Sequence, residues 1–364
     1  MVFFYRRFLP LDVCIYAFGA ENDASSSNLA IPLSNLERLV KILCTAIRFN
    51  ERLFGRTFDY ERSYGEELIV TPRGRMKIGE AENRYAVMGI GVIVGETPLY
   101  FDGVNEWGLC AAALNFPQYA VYGVGKNARA GVSSAHLISL ILGFCRSCEE
   151  ARDMLSHISV SAEGADEKTP PTPLHWMLSD PRSSLVVEPL ASGLSVLDNP
   201  VGVLTNSPRF DYHLARLADL TALSPRNPLA KNAAPLYSRG MGAIGLPGDF
   251  SSSSRFLRAA FLKECCDCTS GGGGQNKADC TSGGVGQAFD ILSSVAIPRG
   301  AVLSDGGEAV FTRYSALMDM DSPTYYLTTA ACRTVRKAIL TDSLCEGQHI
   351  VKFPIYREEI IAEI

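Results

Sequence analysis

Cys44-Thr45-Ala46-Ile47-Arg48-Phe49-Asn50-Glu51-Arg52-Leu53-Phe54-Gly55-Arg56-Thr57-Phe58-Asp59 is the stretch on which the fold turns. Two apolar runs, Cys44–Phe49 and Leu53–Asp59, flank the polar connection Asn50-Glu51-Arg52, a pattern that predicts a β-hairpin. Strand alternation turns Phe58 to the opposite face from Asp59. Further strands are predicted at Glu67–Arg73, Tyr85–Val94, Leu99–Asp102 and Leu109–Asn115, the second continuous enough to be buried on both faces. The turn-like Asn105-Glu106-Trp107-Gly108 separates the last two.

Helices follow at Ala135–Phe144 and Cys148–His157, where Ser147 and Glu150 form a capping box. Strands resume at Leu174–Leu178, Ser184–Pro189, Leu194–Leu197 and Val201–Thr205. Helical spacing recurs over Phe210–Leu223 and over Ser254–Lys263, the latter behind a Ser-rich start suited to capping. Strands at Ala309–Met318, Thr324–Thr329 and Thr334–Leu340 close the chain. Strands, then a helix pair, then strands and helices again predict an α+β protein of antiparallel sheets covered by helices.

The chain has 364 residues, 47% of them hydrophobic and 20% charged, with net charge -5, so a sizeable core forms without staples. Nothing in that balance makes an electrostatic footprint for nucleic acid or an anionic membrane, and no partner of either kind is expected. No run reaches the roughly 18 apolar residues of a membrane-spanning helix. Eleven irregularly spaced cysteines are too sparse for a disulfide scaffold and fit a reduced, cytoplasmic chain in which most are small hydrophobes.

Residues 1–43 read as a separate leader, a propeptide or a mis-assigned start before a single domain over 44–364. Arg6-Arg7 ahead of Phe8–Ala20 superficially resembles a signal peptide, but Pro10 and Asp12 interrupt the short apolar run. Leu36–Leu43 has the spacing of two helical turns. A start at residue 43, with Leu read from a bacterial start codon and removed as Met, is the favoured origin.

The string Asp267-Cys268-Thr269-Ser270-Gly271-Gly272-Gly273-Gly274-Gln275 recurs as Asp279-Cys280-Thr281-Ser282-Gly283-Gly284-Val285-Gly286-Gln287. It lacks the strand and the Gly-Lys-Ser/Thr of a phosphate loop. A metal site from Cys265, Cys266, Cys268 and Cys280 matches no familiar zinc spacing. The reading is a duplicated surface loop inserted at about 265–287, and neither metal nor cofactor is expected.

None of His136, His157, His175, His213 and His349 stands in a nucleophile or metalloprotease motif. His175 reads as a core histidine, and His213 as a surface or half-buried one. The alternative base is the chain's own α-amino group, whose ordinary pKa of about 7.7–8.0 suits proton transfer at neutral pH. An N-terminal Cys, Ser or Thr then joins nucleophile and base in one residue. Cys44, opening the first strand behind an atypical leader, is placed for that role.

With these residues in view, the sequence resembles the choloylglycine hydrolases, the N-terminal nucleophile hydrolases that include bile salt hydrolases and penicillin V acylases. The likeness runs from Cys44–Phe49, Phe54–Asp59 and Val70-Thr71-Pro72-Arg73 through Tyr100–Glu106, Gly108-Leu109 and Leu114-Asn115-Phe116-Pro117. It continues through Leu174-His175-Trp176-Met177, Val186-Val187-Glu188, Gly202–Pro208, Gly245–Phe250 and Ser254-Arg255-Phe256. The leader and the Gly/Cys-rich insertion depart from it.

The resemblance implies a four-layer αββα sandwich, usually a homotetramer. It implies Cys44 as nucleophile, Arg56 beside the sulfur to lower its pKa, and Asp59 hydrogen-bonded to the α-amino group. It implies Asn206 with Asn115 as the oxyanion hole, and Arg255 completing the polar shell. Phe58 is read as lining an apolar substrate pocket. The implied substrate is a small amide, a glycine- or taurine-conjugated bile salt, with penicillin V as the alternative. Asn115 tilts the choice to bile salts, because penicillin V acylases often carry Tyr there. An inactive homologue that only binds acyl ligands is the competing class.

Overall fold

The computed structural model describes residues 43–123, 131–164, 171–227, 240–266 and 284–359, with 361 and 363. The leader before Leu43, its helical turns included, lies outside the described residues, as does most of the tandem repeat with Cys268 and Cys280.

The predicted hairpin is present as β1 (Leu43–Arg48) and β2 (Leu53–Tyr60), with Cys44 opposite Phe58 and Ala46 opposite Arg56. It lies inside a seven-stranded antiparallel sheet. β14 (Val203–Leu204) flanks β1, and β16 (Ala309–Asp319), β17 (Thr324–Thr329) and β18 (Cys332–Ile339) continue from β2, with β15 (Val302–Leu303) on β16.

The second large sheet has eight strands. In spatial order they are β13 (Gly193–Asp198), β12 (Ser184–Leu190), β11 (Leu174–Ser179), β8 (Cys110–Asn115), β7 (Thr97–Asn105), β6 (Val87–Val94), β3 (Glu67–Thr71) and β19 (Val351–Pro354). Two short ribbons complete the strands: β4 (Lys77–Ile78) with β5 (Ala81–Glu82), and β9 (Gly131–Ser133) parallel to β10 (Ser159–Ser161).

Strand alternation explains the layering. In the second sheet Met88, Ile90, Cys110, Ala112, Leu114 and Met177 pack toward the first sheet, while Val87, Leu109, Ala111, Trp176 and Leu178 pack the other way. That outer face is covered by α1 (Leu137–Phe144) and α2 (Cys148–His157). The Ser147 hydroxyl accepts from the Glu150 N–H at 3.2 Å, as the capping box predicts, though the Glu150 carboxylate accepts from the Arg146 N–H. Sheet one is covered on its far side by α4 (Ser252–Cys265) and α5 (Val285–Val295). Each fully buried Leu, Ile or Phe contributes about 1.5–3 kcal/mol. Helix, sheet, sheet and helix give the expected αββα sandwich.

Several expectations need correction. Helix α3 spans Phe210–Leu217, with only a 3-10 turn, Ala218–Leu220, beyond it. The strand expected over Val201–Thr205 pairs over two residues only, because Gly202 adopts φ 67° and turns the chain. Helix α5 begins inside the second copy of the repeat, which the sequence reading assigned wholly to a loop. Strand β19 and helix α6 (Asp342–Cys345) were also not anticipated.

Candidate active site

Cys44 is fully buried between the sheets, on the face of β1 turned toward the second sheet. Arg56 arrives beside it from the paired strand and donates from Nη2 to the Cys44 Sγ at 2.9 Å. The rest of the guanidinium is anchored by Nε to the Thr57 carbonyl at 3.2 Å and by Nη1 to the Phe101 carbonyl at 2.9 Å. Nη1 also lies 3.4 Å from the Asp102 carboxylate. A planar fork with five N–H donors makes such a division possible, and lysine lacks it. Phe58 lies 5.0 Å from the Arg56 guanidinium and stacks on Phe101 and Tyr314 at 5.2 Å and 5.0 Å.

The nitrogen of Cys44 meets a different set of groups. Its N–H donates to Asn206 Oδ1 at 2.7 Å. Arg255, from the first turn of α4, donates through Nη2 to the same oxygen at 2.8 Å and through Nη1 to the Thr45 hydroxyl and the Cys44 carbonyl. Asn206 Nδ2 donates to the Asn115 carbonyl at 2.9 Å. The Asp59 carboxylate accepts from the hydroxyls of Thr57 and Thr312. The bond expected between Asp59 and a free Cys44 α-amino group concerns a nitrogen that here is the peptide N–H following Leu43, and that N–H meets Asn206 because β14 runs beside β1.

Burial decides the titrations. It pushes the Cys44 thiol up, and the Arg56 guanidinium beside the sulfur pulls it down without fully offsetting the burial. Burial also raises Asp59, to about 6, against Arg255, Thr312 and Thr57, all of which favour the carboxylate.

The predicted residues Cys44, Arg56, Asn115, Asn206 and Arg255 are joined by hydrogen bonds, and Asp59 borders them. Asn115 and Phe58 also line a cavity of about 230 Å³ walled by Tyr64, Val92, Leu99, Phe101, Leu174 and Trp176. Its apolar wall is the usual composition of a ligand site. Phe58, the cross-strand partner of Cys44, connects cavity and thiol: Cys44 itself is fully buried and does not line the cavity.

His213 corrects the sequence reading. It is fully buried, stacks on Phe256 at 4.9 Å and bonds the Asn206 carbonyl through Nε2 at 3.0 Å. Burial lowers it to about 4. The signal was available, since Phe210, His213, Leu214 and Leu217 fall on one helical face. His175 is a core residue as expected, stacked on Phe116 at 4.3 Å and 3.6 Å from Glu188. Among the described residues no group of His, Cys, Asp and Glu is arranged to hold a metal.

A family match gives the reaction class, a linear amide C–N hydrolase. The chain belongs to the choloylglycine hydrolase family, whose sequence pattern, described as linear amide C–N hydrolases, matches residues 44–353. A bile salt hydrolase/transferase of Lactiplantibacillus plantarum is 37% identical over 87% of this chain and 98% of its own length. A conjugated bile acid hydrolase structure from Clostridium perfringens, 30% identical, superposes with TM-score 0.79 over 88% of this chain and all of that one. The penicillin V acylase structure from Agrobacterium tumefaciens is 24% identical with TM-score 0.66, covering 86% of this chain and 91% of its own, and shares the fold.

Proposed function

We propose that the protein hydrolyses the amide of glycine- or taurine-conjugated bile salts with Cys44 as an N-terminal nucleophile. The observation that carries this reading is the Arg56 Nη2 to Cys44 Sγ contact of 2.9 Å, with Phe58, the cross-strand partner of Cys44, lining an apolar cavity. The mechanism requires Cys44 to carry a free α-amino group. Burial keeps the thiol protonated, so the amine takes that proton as the sulfur attacks the amide carbonyl. Arg56 stabilises the sulfur anion as it forms. The amide groups of Asn206 and Asn115 serve the developing oxyanion, and Asp59 and Arg255 fix the amine and the Cys44 backbone.

As the tetrahedral adduct collapses, the C–N bond breaks and the ammonium gives its proton to the departing glycine or taurine. Water, deprotonated by the same amine, then cleaves the thioester and restores the thiol. The steroid occupies the apolar cavity against Phe58. The family likeness also supports a cytoplasmic homotetramer without metal or cofactor, which light scattering and metal analysis check.

The test incubates protein whose N-terminus is verified by mass spectrometry as Cys44 with glycocholate, taurocholate and penicillin V, and measures released amine. Release from the bile salts supports the reading. Release from penicillin V alone replaces it with the acylase reading, and release from none supports an acyl-ligand-binding protein.

A further inference from the structure

Asp102 on β7 is a fully buried carboxylate that the mechanism above does not use. Its Oδ2 accepts from the Tyr314 hydroxyl at 2.6 Å, and its Oδ1 from the Tyr325 hydroxyl. Those tyrosines stand on β16 and β17 of the opposite sheet, so three strands from both sheets meet at one carboxylate. Both phenols are fully buried as well, and burial beside the carboxylate holds them far above the usual tyrosine range, so they remain donors. The fourth member is Arg56, whose Nη1 faces Asp102 while Nη2 faces the sulfur.

A guanidinium is planar and rigid, so fixing one terminal nitrogen sets the direction of the other. Two carbonyls also hold Arg56, but each can rotate little and offers no charge. Asp102 is the carboxylate among its partners: burial raises its pKa, while Arg56 and the two tyrosine donors favour its anion and hold it in one orientation.

We propose that Asp102, clamped by Tyr314 and Tyr325, is a positioning residue that aims the Arg56 guanidinium at the Cys44 sulfur. The ionisable groups that act on the sulfur are Arg56 on the same face, Asp59 and Arg255 from the face under α4, and Tyr64 just after β2. Asp102 reaches the sulfur through Arg56. Two effects of removing its charge therefore oppose each other. Loss of a nearby anion favours the thiolate, whereas loss of aim at the sulfur disfavours it, and the sign of the measured shift decides between them.

The experiment follows iodoacetamide labelling of Cys44 against pH in the full chain, read by mass spectrometry of the Cys44 peptide, for wild type, Asp102→Asn, Tyr314→Phe and Tyr325→Phe. Asp102→Asn is expected to raise the labelling midpoint by about one pH unit. Each phenylalanine variant, which keeps the carboxylate and the ring, shifts it the same way by less. If Asp102→Asn does not fold, the two phenylalanine variants decide. With glycocholate and protein whose N-terminus is verified as Cys44, the kinetic arm that rests on the proposed function, kcat is expected to fall about tenfold with KM nearly unchanged. A midpoint that falls, or one that stays fixed in every folded variant, overturns the proposal. Absence of glycocholate turnover in wild type defeats the functional reading alone, because labelling needs no substrate.

Discussion

On the face of the first sheet turned toward the second, the Cys44 sulfur meets Arg56, backed by Asp102 and two tyrosines. At the strand edge and on the face under α4, the Cys44 nitrogen and carbonyl meet Asn206 and Arg255, with Asp59 held nearby by threonines. One residue thus belongs to two polar networks, and the alternation of a β-strand keeps them apart. The sulfur side has a single cation donating to the sulfur. The nitrogen side spends its cation on an amide oxygen and a carbonyl, which fixes geometry more than charge. The comparison suggests that thiol reactivity and amine placement are separable by mutation.

The largest effect removes the sulfur and leaves the nitrogen side in place. Cys44→Ala is expected to lower kcat by about 10⁴-fold or more, the scale of nucleophile loss in other covalent hydrolases, with an unchanged circular dichroism spectrum. Arg56→Lys and Arg255→Lys then separate the two. Each is expected to lower kcat by about 100-fold, as loss of a preorganised donor does. Only Arg56→Lys should also slow iodoacetamide labelling of Cys44, and equal labelling of both variants would collapse the distinction.

The pH dependence sharpens the nitrogen side. Asp59 ionises at about 6, so kcat/KM should fall as pH drops through that value. Thr312→Val removes a hydroxyl that favours the carboxylate, so the acid limb should move to higher pH. Because the folded value lies above the unfolded one, Asp59 stabilises the fold at low pH, and that contribution is lost as pH rises through about 6. His213, held down to about 4, acts in the opposite sense, and its contribution is lost as pH falls below the unfolded value of about 6.5. Urea titrations of Asp59→Asn and His213→Gln across pH 4–7 check the two slopes.

The smallest effect lies behind the sulfur network. A Cβ at Gly89 would stand 2.1 Å from the Asp102 carbonyl oxygen, with Gly103 the facing residue on β7. Gly89→Ala should therefore cost about 1–3 kcal/mol in urea unfolding, the range for overpacking. A neutral result would show that β6 and β7 have room to part beside Asp102.

Legibility in the sequence follows the same division. The hairpin carrying Cys44, Arg56, Phe58 and Asp59 is local, so spacing alone exposed it. Helix α2 starts where the sequence predicts because its cap chemistry lies in the four consecutive residues 147–150. Asn115, Asn206 and Arg255 were found only through family resemblance, since no local pattern ties them to Cys44. The clamp of Tyr314 and Tyr325 on Asp102 spans more than 200 residues and leaves no periodic trace. Helix α5 does leave one, in Ala288, Phe289, Ile291, Leu292 and Val295, but the glycine-rich repeat running into it hid the period.

The separation between Cys44 and its distant partners has a consequence for the order of folding. A hairpin such as β1–β2 closes in about 1–10 μs. Asn206 and Arg255, 162 and 211 residues from Cys44, reach it only once the sandwich has closed. A nascent or misfolded chain therefore carries an ordinary thiol, and its reactivity is assembled by the last long-range contacts rather than by the residue itself.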